Sequence, residues 1–278
     1  MPSVAPQALP QSVALLTFVL QEHHLVILED WLDFFDHPIT ELVVHVGAGP
    51  GISARLQHLC ATRAIRLQNL GPTSARETTD EEQRLLAAQF EAVTADFGCV
   101  VRLDTLPFRT AETLWQEATM TALASMGASF ITGSTLPFRA DLPTEDPSLL
   151  LTRRLSNCFL LIRPDVWREL QQGIPGSAEK HGRFLVEGAA EDYVQAQGLW
   201  GLRLLNRPDL RIFHCQEWGP RLLVVRARFR AGYRIARYLK GYQDDPPKTA
   251  SHNYLERRPP ILKRIRIFIG YWRRRLFR

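Results

Sequence analysis

Two features of the sequence predict an α/β fold, a mixed and mainly parallel sheet flanked by helices. Short apolar runs rich in β-branched and aromatic residues alternate with segments of helical periodicity. The runs are also continuously apolar rather than alternating, as strands covered on both faces are.

Each element can be justified in order. VALLTFVL (13–20) reads as a buried first strand. HLVILEDWLDFFDH follows with Leu25, Leu28, Leu32 and Phe35 at helical spacing, and Pro38 ends it. Leu42, Val43, Val44 and Val46 form a second strand, then a glycine turn leads into a short helix reaching about Cys60. AIRLQNL (64–70) is a third strand, residues 79–95 an amphipathic helix, and GCVVRLD (98–104) another buried strand. Residues 110–126 read as helical and 128–134 as strand-like, and TLPFRADLPTEDPSLLL (135–151) reads as a Pro-rich loop. Then come a strand CFLLI (158–162), a helix PDVWREL, a Gly-containing loop through Gly182, and a helix over 189–199. LRLLNRPDLRIFHC (202–215) contains a strand pair. The expected organisation is a leader over 1–12, an α/β domain over 13–220 and a basic helical extension over 221–278.

The formal charge of +5 conceals an asymmetry. Residues 221–278 carry 17 Lys and Arg against 3 Asp and Glu, so an acidic body bears a basic tail. Apolar runs stop short of the roughly 18–20 residues a membrane span needs, and the N-terminus lacks the basic flank and apolar core of a secretory signal. Cys60, Cys99, Cys158 and Cys215 are widely spaced without a CxxC pair, which reads as buried, reduced thiols in a cytoplasmic protein.

The stretch ELVVHVGAGPGIS (41–53) places Gly47, Gly49 and Gly51 between a strand and a helix, where backbone N–H groups approach a ligand closely. It resembles the first motif of the S-adenosylmethionine-dependent methyltransferases, which is one reading of the chain. The acids that motif needs are missing: His45 stands at the first position, and Gln68-Asn69-Leu70 end the next strand. A strong strand also precedes the turn.

A second resemblance spans residues 12 to about 240. Glu191-Asp192, Gly198, Leu202 to Leu205 and His214 follow one another as in the family-two glycosyltransferases of the GT-A fold, and SNCFLLIRPDVWREL (156–170) is similar to the segment before them. VVRLDTLPF sits where that family carries its metal-binding Asp-x-Asp; one acid is present, because either Leu106 replaces the second Asp or Arg102 the first. The resemblance implies Asp192 as the base that deprotonates the acceptor hydroxyl, with Glu191 its neighbour. It implies Asp104 and His214 as ligands of a divalent metal, Mn2+ or Mg2+, that neutralises the departing diphosphate. Phe18, Val19, Gly47, Ala48, Arg102 and Asp104 would then meet the nucleotide-sugar donor, with Arg102 able to supply charge that a metal otherwise gives. The acceptor would be a glycan or a lipid-linked sugar. A catalytically inactive, GT-A-like binding protein is the remaining alternative.

Ile261, Leu262, Ile265, Phe268, Ile269, Trp272 and Leu276 form one apolar stripe in ILKRIRIFIGYWRRRLFR, with the basic residues largely off it. Such a helix suits an anionic membrane surface, and equally its own domain. Residues 226–242 are similarly basic with interleaved aromatics, and no nucleic-acid module accompanies the charge.

Overall fold

The computed structural model describes residues 12–49, 51–73, 79–133, 140–172, 185–215, 217–236 and 238–239. Residues 1–11 of the leader, 173–184 of the loop through Gly182 and the apolar stripe over 261–278 lie outside the described residues. The strands are β1 (Val13–Val19), β2 (Glu41–Val46), β3 (Arg66–Pro72), β4 (Phe97–Val101), β5 (Thr105–Arg109), β6 (Phe130–Thr132), β7 (Leu142–Pro143), β8 (Leu149–Thr152), β9 (Phe159–Ile162), β10 (Gly201–Leu204) and β11 (Leu210–His214). The helices are α1 (His24–Phe34), α2 (Ile52–Thr62), α3 (Thr79–Ala92), α4 (Gln116–Ser125), α5 (Pro164–Gln172), α6 (Leu185–Ala196) and α7 (Arg221–Arg230).

Nine strands form one sheet in the order β3-β2-β1-β4-β9-β6-β10-β8-β7. From the ladder directions, β8 and β9 alone run against the others, so the sheet is mixed and mainly parallel as expected. Side chains alternate between its faces. Val13, Leu15 and Val19 of β1, with Leu42, Val44 and Val46 of β2, enter a core shared with α1, α2, α4 and α7. Ala14, Leu16 and Val43 enter a second core under α3, α5 and α6. Each core has an aromatic anchor: Trp31 stacks on Phe159 at 5.6 Å, and Phe90 on Trp167 at 4.5 Å.

Several local expectations are corrected. The strand read over 98–104 ends at Val101, and the chain turns through Leu103-Asp104 into β5, which pairs only with β11 among the described residues. Pro107 is tolerated because this two-stranded ladder has open edges. The two strands in 202–215 form as expected but do not pair with each other, since β10 joins β6 and β8. The stretch read as a Pro-rich loop contributes β7 and β8. The helix expected over 189–199 begins at Leu185.

The start of the basic segment, α7, packs on the body. Leu222, Val225 and Phe229 recur at helical spacing and are buried in the first core. Opposite charge fixes the helix: buried Asp30 of α1 receives Arg226 through two bonds of 2.5 and 2.7 Å, and Arg230 at 2.6 Å. The composition of the segment had concealed this apolar stripe.

Candidate active site

The chain runs from β1 to β2 and β3 on one side, then returns to β4 on the other. Strand order therefore reverses at β1 and β4, and open α/β sheets bind ligands beyond the C-terminal ends of such strands. Asp104 follows the end of β4 and is 1% exposed. The backbone holds it: its carbonyl accepts from the Cys215 N–H at 2.9 Å and from the Cys215 thiol at 3.0 Å. Because β11 ends at His214, this contact sets the imidazole beside the carboxylate, with Nε2 3.0 Å from Oδ2. Asp104 and His214, implied together by the resemblance, meet in space.

Arg102 closes the other side of the carboxylate, its Nε 3.4 Å from Oδ1 and its Nη1 donating to Glu82 at 3.1 Å. The Trp218 ring lies 5.2 Å from the guanidinium carbon, and the Trp218 carbonyl meets His23 at 2.7 Å and His24 at 3.2 Å. Since β9 runs against β4, the residues entering β9 come alongside those leaving β4, and the Arg102 N–H donates to the Cys158 carbonyl. Asn157 then donates to Glu82 at 3.2 Å, and the Cys158 sulfur lies 3.3 Å from His214 Nδ1. Glu187, in the first turn of α6, accepts from Ser156 Oγ at 3.1 Å and from the Asn157 N–H at 3.0 Å.

The electrostatics follow from this packing. Burial opposes ionisation of Asp104, but the His214 and Arg102 contacts prevail and hold its pKa below the ordinary carboxylate value. Burial likewise opposes the imidazolium, yet the sulfur of Cys158 and the carboxylate of Asp104 push the His214 pKa up to about 10. Burial raises the Glu82 pKa against the pull of Arg102.

Divalent metals of this kind take hard oxygen ligands and neutral imidazole. Here one Asp104 oxygen faces the Arg102 guanidinium and the other the His214 imidazole. As arranged, the pair does not fit a metal ion, and no cluster of three or more His, Cys, Asp or Glu suited to one occurs among the described residues.

Glu191 pairs with Arg154 at 3.3 Å, and both Glu191 and Asp192 lie in the second turn of α6 rather than at its start. The Phe18 ring stacks on His45 at 5.8 Å, whereas Val19 is fully buried in the core. Ala48 is exposed beyond β2. Gly47 has a packing reason: its N–H donates to the Val19 carbonyl at 2.8 Å, and a Cβ would collide with the Leu20 carbonyl. None of Gly47, Gly49 and Gly51 has a positive φ. Sequence reasoning missed Glu82, Asn157, Cys158, Glu187 and Trp218; the first-turn acid of α6 was the one local signal available, had that helix been started correctly.

A cavity of about 580 Å³ opens at the opposite edge, where Ile39 and Ile65 precede β2 and β3. Its arginines serve the fold: Arg109 caps the Asp33 and Phe34 carbonyls at the end of α1, and Arg63 pairs with Asp33.

No protein-family model matches the chain, and no curated protein matches it. Among solved structures, it is similar to a mannosyltransferase from Pyrobaculum calidifontis in complex with GDP-Man and Mn2+, at 12% identity and a TM-score of 0.52. That likeness covers 89% of this chain and 74% of the other. A UDP-glucose pyrophosphorylase complexed with UDP-glucose aligns at 8% identity and a TM-score of 0.45, over 73% of this chain and 93% of that one. The sheet order and the likeness to the mannosyltransferase give the chain a GT-A-like fold, that of the nucleotide-diphospho-sugar transferases.

Proposed function

We propose that the chain is a glycosyltransferase, moving a sugar from a nucleotide-sugar donor to a glycan or lipid-linked acceptor at the cytoplasmic face of a membrane. The observation that carries this reading is buried Asp104 with His214 and Arg102, gathered beyond the strand-order reversal of a GT-A-like sheet. In the reaction, the acceptor hydroxyl oxygen attacks the anomeric carbon as the bond from that carbon to the diphosphate oxygen breaks. Asp192, beside Glu191 on α6, takes the hydroxyl proton. Arg102 and protonated His214 face the charge that develops on the departing diphosphate, in a site where burial strengthens such interactions. Phe18 and Ala48 stand at the β1 and β2 ends where the nucleoside would lie.

Membrane contact is supported by the outer face of α7 and the turn after it, where Arg221, Arg228 and Arg234 are exposed around exposed Val224 and Tyr233. Among the described residues no helix is long and apolar enough to cross a membrane. The nucleotide-sugar reading is tested by thermal shift with GDP- and UDP-sugars, GDP, UDP and S-adenosylmethionine, each with and without Mn2+. A ligand of the native state raises the melting temperature with the logarithm of its concentration. A shift with S-adenosylmethionine alone would overturn the proposal.

A further inference from the structure

The carboxylates around Asp104 already hold a cation, and it belongs to the protein. The Arg102 guanidinium bridges Asp104 and Glu82, while Asn157 donates to the same Glu82 oxygen and the Trp218 ring lies against the guanidinium. Two carboxylates and an imidazole are the ligand types a Mg2+ or Mn2+ ion selects. Arg102 also answers the ambiguity in the Asp-x-Asp position. Leu106 is fully buried on β5 and paired with Phe213, whereas Arg102 contacts the Asp104 carboxylate from two residues before it. On this geometry Arg102, not Leu106, occupies the position beside Asp104, and it puts a positive charge against that carboxylate.

We propose that Arg102 is the resident cation of this site: its guanidinium stands in for a divalent metal, and the chain binds a nucleoside diphosphate without one. The ligand rests on the nucleotide-sugar reading; the cation does not. A guanidinium remains charged across the working pH range and presents a planar fork that suits phosphate oxygens. With Nε and Nη1 turned to carboxylates, Nη2 is the amine left to offer donors to the diphosphate. The arrangement supplies one fixed positive charge where Mn2+ would supply two.

The test uses the full chain and Mn2+ alone, followed by the paramagnetic resonance of free Mn2+, for wild type, Arg102→Lys, Arg102→Ala and Arg102→Asp. Wild type and Arg102→Lys are expected to leave the ion free. Arg102→Asp, which restores an Asp-x-Asp pair, is expected to bind it at least about tenfold more tightly, and Arg102→Ala serves if that variant does not fold. Calorimetry with UDP and GDP should give wild-type affinities equal within about twofold in EDTA and in Mn2+. Arg102→Ala should weaken them about tenfold or more in EDTA, in line with the loss of a charged hydrogen bond. Wild type that binds Mn2+ as tightly as Arg102→Asp, or loses nucleotide in EDTA, overturns the inference. If neither nucleotide binds in either buffer, the nucleotide-sugar reading fails, and the Mn2+ titration still decides the cation.

Discussion

Asp104→Asn removes one negative charge from between two cations and leaves the shape almost unchanged, so it isolates the electrostatic part of the site. The His214 pKa of about 10, against an ordinary 6.5, corresponds at pH 7 to about 4 kcal/mol of stability, taking about 1.36 kcal/mol per unit. The Cys158 sulfur shares that effect, which leaves roughly 2 kcal/mol for the carboxylate; Arg102, losing a buried partner but keeping Glu82, adds up to about 2 more. The variant should therefore be less stable by about 2–4 kcal/mol near pH 6. The sign of the pH dependence is fixed by both shifts. A raised histidine pKa stabilises fully below about 6.5 and is lost as pH climbs toward 10; a depressed carboxylate pKa stabilises above about 4 and is lost in more acid solution. The difference between wild type and variant should peak between about pH 4 and 6.5 and shrink by about 2 kcal/mol at pH 10. Urea unfolding followed by the fluorescence of buried Trp31, Trp115 and Trp167 measures it. A difference that is flat from pH 5 to 10 would refute the ion pair.

The other predictions address separate parts of the molecule. Asp192→Asn should lower turnover by about 10²- to 10⁴-fold while donor affinity, measured by calorimetry, stays nearly constant; unchanged turnover would reject Asp192 as the base. Gly47→Ala should cost about 2 kcal/mol or more because the added methyl meets the Leu20 carbonyl, a backbone atom; a melting temperature within about 2 °C of wild type would contradict the packing reason. Asp30→Asn should loosen α7, with a cost of roughly 1–3 kcal/mol since Arg226 and Arg230 are partly solvated, read as faster hydrogen exchange in residues 221–230. Vesicle binding by the full chain should need anionic lipid and weaken steeply with salt, because exposed charges are screened over about 8 Å at physiological ionic strength; binding indifferent to lipid charge would remove the membrane proposal.

Much of the fold was legible because its signal is local. Continuous apolar runs marked β1, β2, β4 and β9, and the Leu25, Leu28, Leu32 spacing marked α1. The order of motifs singled out Asp104 and His214 together, and the two side chains meet in space. Glu82 and Glu187 escaped because an acid on an amphipathic helix looks the same whether it faces water or, as here, the Arg102 guanidinium for Glu82 and Ser156 with the Asn157 N–H for Glu187. The α7 stripe escaped because its arginines dominate the composition, while their partner, Asp30, lies 196 residues from Arg226 in sequence. The pairing of β5 with β11 is similarly non-local, and β5 alone, broken by Pro107, carries almost no strand signature.

The reversed direction of β9 has a consequence for how this scaffold can change. In an all-parallel sheet, every segment at the ligand edge follows its strand, and the segments preceding strands are confined to the far edge. A single inverted strand in the middle breaks that rule, since Ser156, Asn157 and Cys158 arrive at the ligand edge before their strand begins. The chain then leaves β9 for α5 at the far edge, away from the Asp104 cluster. Because Asn157 and Cys158 in this segment touch Glu82 and His214, a change of sequence or length there reaches the Asp104 cluster directly, while the ladder between β4 and β9 can keep its register.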